Sequence, residues 1–185
     1  RSREPFPFDP KSVSAVFISH AHIDHTGRIP KLIKEGFRGK IYSTYPTKSL
    51  GELMLKDSVG VLSKEAEREK EEAMYSEEDV AGAMSFWEGK NYRESISAGP
   101  FKVSFYDAGH ILGSAMIMVE LNSKKILFTG DLGNPTNPLL NGIDNVESPD
   151  FLVIESTYGD REHEGVEEKK LKLERVIEKS VLQGG

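Results

Sequence analysis

Six residues constrain this chain more than anything else in it: His20-Ala21-His22-Ile23-Asp24-His25, set directly behind the apolar run Val13-Ser14-Ala15-Val16-Phe17-Ile18. The run reads as a strand, rich in β-branched and aromatic residues and then abruptly polar. Three of the five histidines (His20, His22, His25, His110 and His163) therefore fall within six residues at a strand end. Residues two apart on a strand point to the same side, so His20 and His22 can grip one metal ion. Asp24 and His25 fall where the chain turns into a helix, and can face a second ion beside the first. Imidazole with carboxylate suits Zn²⁺ and, less selectively, Mn²⁺ or Fe²⁺. Two such ions about 3.5–4 Å apart would share a bridging hydroxide.

Two later segments repeat the pattern of strand, glycine and ligand type. His110 lies in Asp107-Ala108-Gly109-His110-Ile111-Leu112-Gly113-Ser114, and Asp131 in Phe128-Thr129-Gly130-Asp131-Leu132-Gly133. Glycine allows a turn that presents the imidazole without steric conflict, and a carboxylate between two glycines can bridge two cations. On its own each segment reads as an ordinary turn. Beside the His20 cluster, both read as ligands gathered along one sheet edge.

The rest of the chain supplies a frame of alternating helices and strands. Thr26 to Glu35 is expected to be a helix ending at Gly36, with Ile29, Leu32 and Ile33 on one face and Pro30 in its first turn. Lys40 to Ser43 reads as a strand. Pro46 to about Glu72 reads as a long helix whose apolar face is Leu50, Leu53, Met54 and Leu55, with a charged, solvated second half. Ser76-Glu77-Glu78-Asp79 opens a further helix, with Ser76 as its N-cap, running to about Trp87. Strands follow at Phe101–Tyr106, Ala115–Leu121 and Lys125–Phe128, with a tight hairpin at Asn122-Ser123. Asn134 to Pro149 reads as a long loop. Phe151 to Ile154 reads as a strand covered on both faces, and Val166 to Leu182 as a helix with Val166, Leu173, Val176 and Ile177 inward.

Composition sets the bounds. The 185 residues, 37% hydrophobic and 29% charged, suffice for one core. A net charge of −6 argues against a chain that is a polyanion-binding surface throughout. There is no cysteine, which removes disulfides, thiolate metal sites and cysteine nucleophiles. No run of about 18 apolar residues occurs, so no membrane span is expected. The start, Arg1-Ser2-Arg3-Glu4-Pro5, lacks an apolar leader and an initiator Met, and reads as a piece of a longer chain. A cytoplasmic address is compatible with these features.

His-x-His-x-Asp-His, then Ala-Gly-His, then Thr-Gly-Asp, in this order, resembles the metallo-β-lactamase superfamily. That resemblance implies an α/β fold, the αββα sandwich, with two Zn²⁺ ions at one edge. His20, His22 and His110 would hold the first ion, Asp24 and His25 the second, and Asp131 would bridge. The segment Phe151-Leu152-Val153-Ile154-Glu155-Ser156-Thr157-Tyr158-Gly159-Asp160-Arg161-Glu162-His163 resembles motif A of the β-CASP nucleases. Within them, Glu followed by Ser-Thr-Tyr-Gly is most similar to RNA endonucleases of the cleavage and polyadenylation type. Asp24 and Glu155 are the carboxylates this resemblance places in catalysis. Glu155 would orient a histidine further along the family's chain, whereas His163 takes no chemical role and is expected to be structural.

The resemblance also implies that residues 1-185 are the first portion of a metallo-β-lactamase domain. The sandwich would lack its first strands, and a β-CASP domain is expected after position 185. The second metal would be short of one imidazole, and these 185 residues alone are expected to bind at least one metal weakly and to be inactive as a nuclease. The intact protein would cleave single-stranded RNA, internally or also from an end, as a homodimer or within a processing complex. Other readings stay open: a thioesterase-like hydrolase of small molecules, a non-catalytic scaffold subunit, or a nuclease acting on DNA.

Overall fold

The computed structural model describes residues 4–134, 139–146, 148–160 and 165–183. The chain forms two compact units, 1–154 and 155–185. Pro135 to Pro138, Glu147 and His163 lie outside the described residues, and with them part of the expected 134–149 loop and the residue expected to be structural.

In the first unit, strands β1 (Ala15–Phe17), β2 (Lys40–Thr44) and β3 (Trp87–Lys90) form a three-stranded parallel sheet in the order β1-β2-β3. Strands β4 (Ile96–Ala98), β5 (Phe101–Asp107), β6 (Ala115–Leu121), β7 (Lys124–Phe128) and β8 (Phe151–Val153) form a second sheet in chain order. Its pairs are antiparallel except β7 with β8. The β6–β7 turn is the expected tight hairpin. Asn122 (φ 47°) and Ser123 (φ 64°) are both left-handed, the backbone that matches the twist of two paired strands.

Helices α1 (Ile23–Thr26), α2 (Ile29–Lys34), α3 (Tyr45–Glu69) and α4 (Glu77–Phe86) lie in the same unit. A core of Ile18, Ile29, Leu32, Ile33, Phe37, Ile41, Leu55, Val59, Tyr75, Val80, Ala83 and Trp87 joins α2, α3 and α4 to the first sheet. Between the sheets, Ile96, Val103, Phe105, Ala115 and Ile117 pack with Phe17 and Tyr42. Alternation along β6 sends Met116 and Met118 to the opposite face, where they meet Ala108, Leu127, Leu132 and Val146. The layers are thus helix, sheet, sheet, in keeping with the α/β class expected. The second unit contains α5 (Val166–Leu182).

Several local expectations change. The single helix over Thr26–Glu35 is two, because Pro30 has no N–H to donate to the Thr26 carbonyl, and the chain breaks at Gly27-Arg28. Ile29, Leu32 and Ile33 are buried as expected. The inward face of α3 is Thr47, Gly51, Leu55, Val59 and Ala66, while Leu53 and Met54 face solvent. Gly51 decides this face, since the Trp87 ring lies 2.8 Å from where its Cβ would be. The Ser76–Asp79 capping box forms as expected, but Trp87 opens β3 instead of closing α4. Its indole N–H donates to Ser43 Oγ at 2.8 Å inside the core. Phe151, Leu152, Val153 and Ile154 are 52–58% exposed, against the expectation of two covered faces. β8 is the edge strand of its sheet, and among the described residues no second strand lies beyond it. Leu173, Val176 and Ile177 of α5 are exposed too.

Candidate metal centre

Four segments bring the candidate ligands together: the strand end at His20, the α1 turn, and the loops of His110 and Asp131. Ile18 N–H donates to the Tyr42 carbonyl at 2.8 Å, which extends the β1–β2 pairing to the residue before the cluster. The Ser19 carbonyl accepts from Ala115 N–H at 2.7 Å, tying the His20 strand end to β6 of the other sheet. His22 is the N-cap of α1, so Asp24 and His25 project from the first turn of a short helix. The buried Thr26 hydroxyl donates to the His22 carbonyl at 3.0 Å and fixes that turn.

The His110 loop is clamped by hydroxyls. Ser114 Oγ accepts from the N–H groups of His110 (3.0 Å) and Ile111 (3.2 Å). Thr44 Oγ1 and Thr47 Oγ1, at the start of α3, both donate to the Gly113 carbonyl, at 2.6 and 2.8 Å. Tyr92 Oη donates to the Ser114 carbonyl at 2.9 Å. The Asp131 loop leans on this one through Gly133 N–H, which donates to the Ala108 carbonyl at 2.8 Å. Thr44, Thr47, Tyr92 and Ser114 are absent from the sequence-based ligand set. Only the Thr44-Tyr45-Pro46-Thr47 helix start carried a local signal, and it marks a cap without naming what the cap touches.

The side chains converge. His22 Nδ1 lies 3.1 Å from His20 Nε2 and 3.2 Å from His110 Nε2. Asp131 Oδ2 lies 3.6 Å from both His20 Nε2 and His110 Nε2. The four candidate donor atoms all fall within 4.8 Å of one another. The other Asp131 oxygen, Oδ1, is 3.4 Å from His25 Nε2, which is 3.5 Å from Asp24 Oδ2. Asp131 therefore faces two groups of donors, one with each oxygen.

Burial, and next the charge of neighbouring His25, push the His20 imidazole down from 6.5 to about 4. His20 is neutral at pH 7, with a lone pair to offer. Its other nitrogen, Nδ1, is 3.1 Å from Ser19 Oγ, the outer partner that aims a ligating ring. Four donors arranged tetrahedrally about 2.0–2.2 Å from a common centre stand about 3.3–3.6 Å apart. Four of the six donor pairs, at 3.1–3.6 Å, come near that spacing, and all six lie within 4.8 Å. The donor chemistry, imidazole nitrogen with carboxylate, fits a divalent cation.

Residues 8–156 match the family model described as a metallo-beta-lactamase superfamily domain. The chain belongs to the metallo-β-lactamase superfamily. Its similar proteins include Ribonuclease TTHA0252 of Thermus thermophilus, 36% identical over the whole of this chain and 41% of that protein. Endoribonuclease YSH1 of Eremothecium gossypii is 35% identical over 96% of this chain and 24% of its own length. Cleavage and polyadenylation specificity factor 73 of Drosophila melanogaster is 35% identical over 94% of this chain and 25% of its own. The chain thus spans about two fifths or less of the curated relatives it matches. These relatives agree with the resemblance to RNA-cleaving members of the metallo-β-lactamase superfamily read from the sequence.

Glu155 belongs to the second unit. There its Oε2 accepts from Thr157 N–H at 3.3 Å, bracing the Ser-Thr-Tyr-Gly turn. Among the described residues, no helix of this metallo-β-lactamase chain is long and apolar enough to cross a membrane.

Proposed function

We propose that the intact protein is a metal-dependent ribonuclease of the β-CASP type that hydrolyses phosphodiester bonds of single-stranded RNA. The observation that carries this reading is Asp131. One carboxylate oxygen faces His20 and His110, and the other faces His25. In this reading His20, His22 and His110 would hold a first Zn²⁺, Asp24 and His25 would hold a second, and Asp131 would serve both; Mn²⁺ or Fe²⁺ would suit the same donors. When bound, the ions would lower the pKa of a water to near neutrality and would supply positive charge for the phosphoryl oxygens. The carboxylates of Asp24 and Asp131 keep that charge local, which matters in a chain of net charge −6. Ser19 and Ser114 hold the histidine ring and the His110 backbone in place, so little reorganisation is needed as charge develops on the phosphate. Glu155 is assigned a positioning role, orienting the imidazole that protonates the leaving oxygen.

The substrate class draws on the Glu155-Ser156-Thr157-Tyr158-Gly159 segment and on the ribonuclease names of the relatives. The test is a side-by-side assay of the full-length zinc-loaded protein on single-stranded RNA, single-stranded DNA and a glutathione thioester. RNA cleavage that a chelator abolishes is expected. Thioester hydrolysis without RNA cleavage would overturn the reading in favour of a small-molecule hydrolase. Changes outside the ligand set of a metal site cost about 10–100-fold, so Asp131→Asn, within the set, is expected to lose more than about 100-fold. Bound metal should fall in parallel, and full occupancy by elemental analysis would count against the bridging role.

A further inference from the structure

The connection between β7 and β8 carries a carboxylate that turns back toward the His110 loop. Asn141, Gly142, Ile143 and Asn145 are exposed there, whereas Asp144 and Val146 are partly buried. Val146 is the apolar anchor, packed with Ala108 and Leu127. Asp144 is the polar one, and it grips a single residue twice. Its N–H donates to the Asp107 carbonyl at 2.9 Å, and its Oδ2 accepts from Asp107 N–H, also at 2.9 Å. Its other oxygen, Oδ1, pairs with Arg93 Nη2 at 2.6 Å. Asp107 passes the hold on, because its Oδ1 accepts from Gly109 N–H at 2.8 Å. Gly109 has the left-handed φ of 64°, and a Cβ on it would stand 3.2 Å from the Asn141 carbonyl oxygen and from Ile143 N. Backbone from the 141–144 stretch therefore lies directly on the turn that precedes His110.

We infer that Asp144 is a positioning residue of the metal centre, aiming the His110 ring by fixing the Asp107–Gly109 turn in front of it. The inference rests on the metal-binding reading of the donor cluster. His20 has the Ser19 hydroxyl behind its ring. Among the described residues His110 has no such partner at its second ring nitrogen, so its direction comes from its backbone. That backbone is held at both ends. Ser114 Oγ and the Tyr92 bond to the Ser114 carbonyl secure the far end, and Asp144 secures the near one. Tyr92 and Arg93 are neighbours in the turn between β3 and β4, so one turn supports both ends. Arg93 N–H ties that turn to β5 through the Phe105 carbonyl at 2.7 Å. The Arg93 side chain is 65% exposed, so its ion pair stabilises little by itself. Its effect is to point the Asp144 carboxylate. A ligand whose support is lost must be re-aimed each time the ion binds, and metal affinity falls accordingly.

The test uses the full-length protein, with Zn²⁺ affinity measured by competition against a chromophoric chelator and site geometry read from the visible absorption of bound Co²⁺. Asp144→Ala is expected to weaken Zn²⁺ binding about tenfold or more and to alter the Co²⁺ bands. Asp144→Asn still offers an amide oxygen to Asp107 N–H and loses only the exposed ion pair. It should stay within about threefold of wild type, with wild-type Co²⁺ bands. Asp144→Ser, too short to reach Asp107 N–H, takes the place of Asp144→Ala should that variant not fold. The deciding comparison is made in His110→Ala, where adding Asp144→Ala should cost no further affinity, since the ring to be aimed is gone. Wild-type affinity in Asp144→Ala, a loss shared by Asp144→Asn, or the same loss repeated on the His110→Ala background would each overturn the inference while leaving the metal reading intact. A wild type that binds no Zn²⁺ would overturn both.

Discussion

At Gly133 an added Cβ would lie 1.6 Å from the Gly109 carbonyl oxygen and 2.6 Å from His110 N. The loops carrying Asp131 and His110 touch backbone to backbone there, and no side chain fits between them. Gly133→Ala must push the loops apart, at a cost of at least about 1–3 kcal/mol as for other overpacked sites. The expected outcome is a lower thermal midpoint together with weaker zinc binding by calorimetry. Gly142→Ala, where a Cβ meets nothing within 4 Å, should change neither. At this scale the sequence was informative about ligands, because three histidines in six residues behind a strand have few other uses. It was silent about the groups that hold them. Hydroxyls are common, and nothing in local spacing says that Thr44 and Thr47 meet the carbonyl of Gly113.

Elements were legible where their ends carry chemistry. The capping box at Ser76–Asp79 marks the start of α4, and Asn122-Ser123 marks the β6–β7 hairpin. The rotation of α3 was not legible. Its apolar residues cluster early, whereas the buried face of Thr47, Gly51, Leu55 and Val59 steps by four and includes a polar residue and a glycine. Leu55→Ala is expected to cost about 2–5 kcal/mol in denaturant unfolding, and Leu53→Ala, on the solvent side, no more than about 0.5 kcal/mol. The short strands β3 and β4 carry no strand signal, because Trp87-Glu88-Gly89-Lys90 and Ile96-Ser97-Ala98 show too little alternation. The start of α3 also serves the centre. Replacing Thr44 and Thr47 together by Val strips the Gly113 carbonyl of both donors, which should cost about 1–3 kcal/mol. Chemical denaturation measures that loss, and zinc affinity should fall with it.

Across the whole molecule, the sequence pattern conveyed the alternation of helices and strands and the α/β class. It did not convey which strands share a sheet, since pairings such as β2 with β3 join distant positions. Nor did it convey exposure. An apolar tetrapeptide such as Phe151 to Ile154 looks buried in any window of sequence, yet each of its residues is more than half exposed. Such an edge invites pairing with another chain. The 185-residue chain is expected to self-associate as concentration rises, observable by sedimentation, and Phe151→Thr with Leu152→Lys should reduce it.

The Ser19–Ala115 hydrogen bond has a kinetic meaning as well. The donors stretch from position 20 to position 131 and meet only when the two sheets have met. Contacts between distant positions carry the entropic cost of closing long loops and form slowly. In a refolding experiment, metal capture should therefore lag helix formation and mark the last ordering step of the chain.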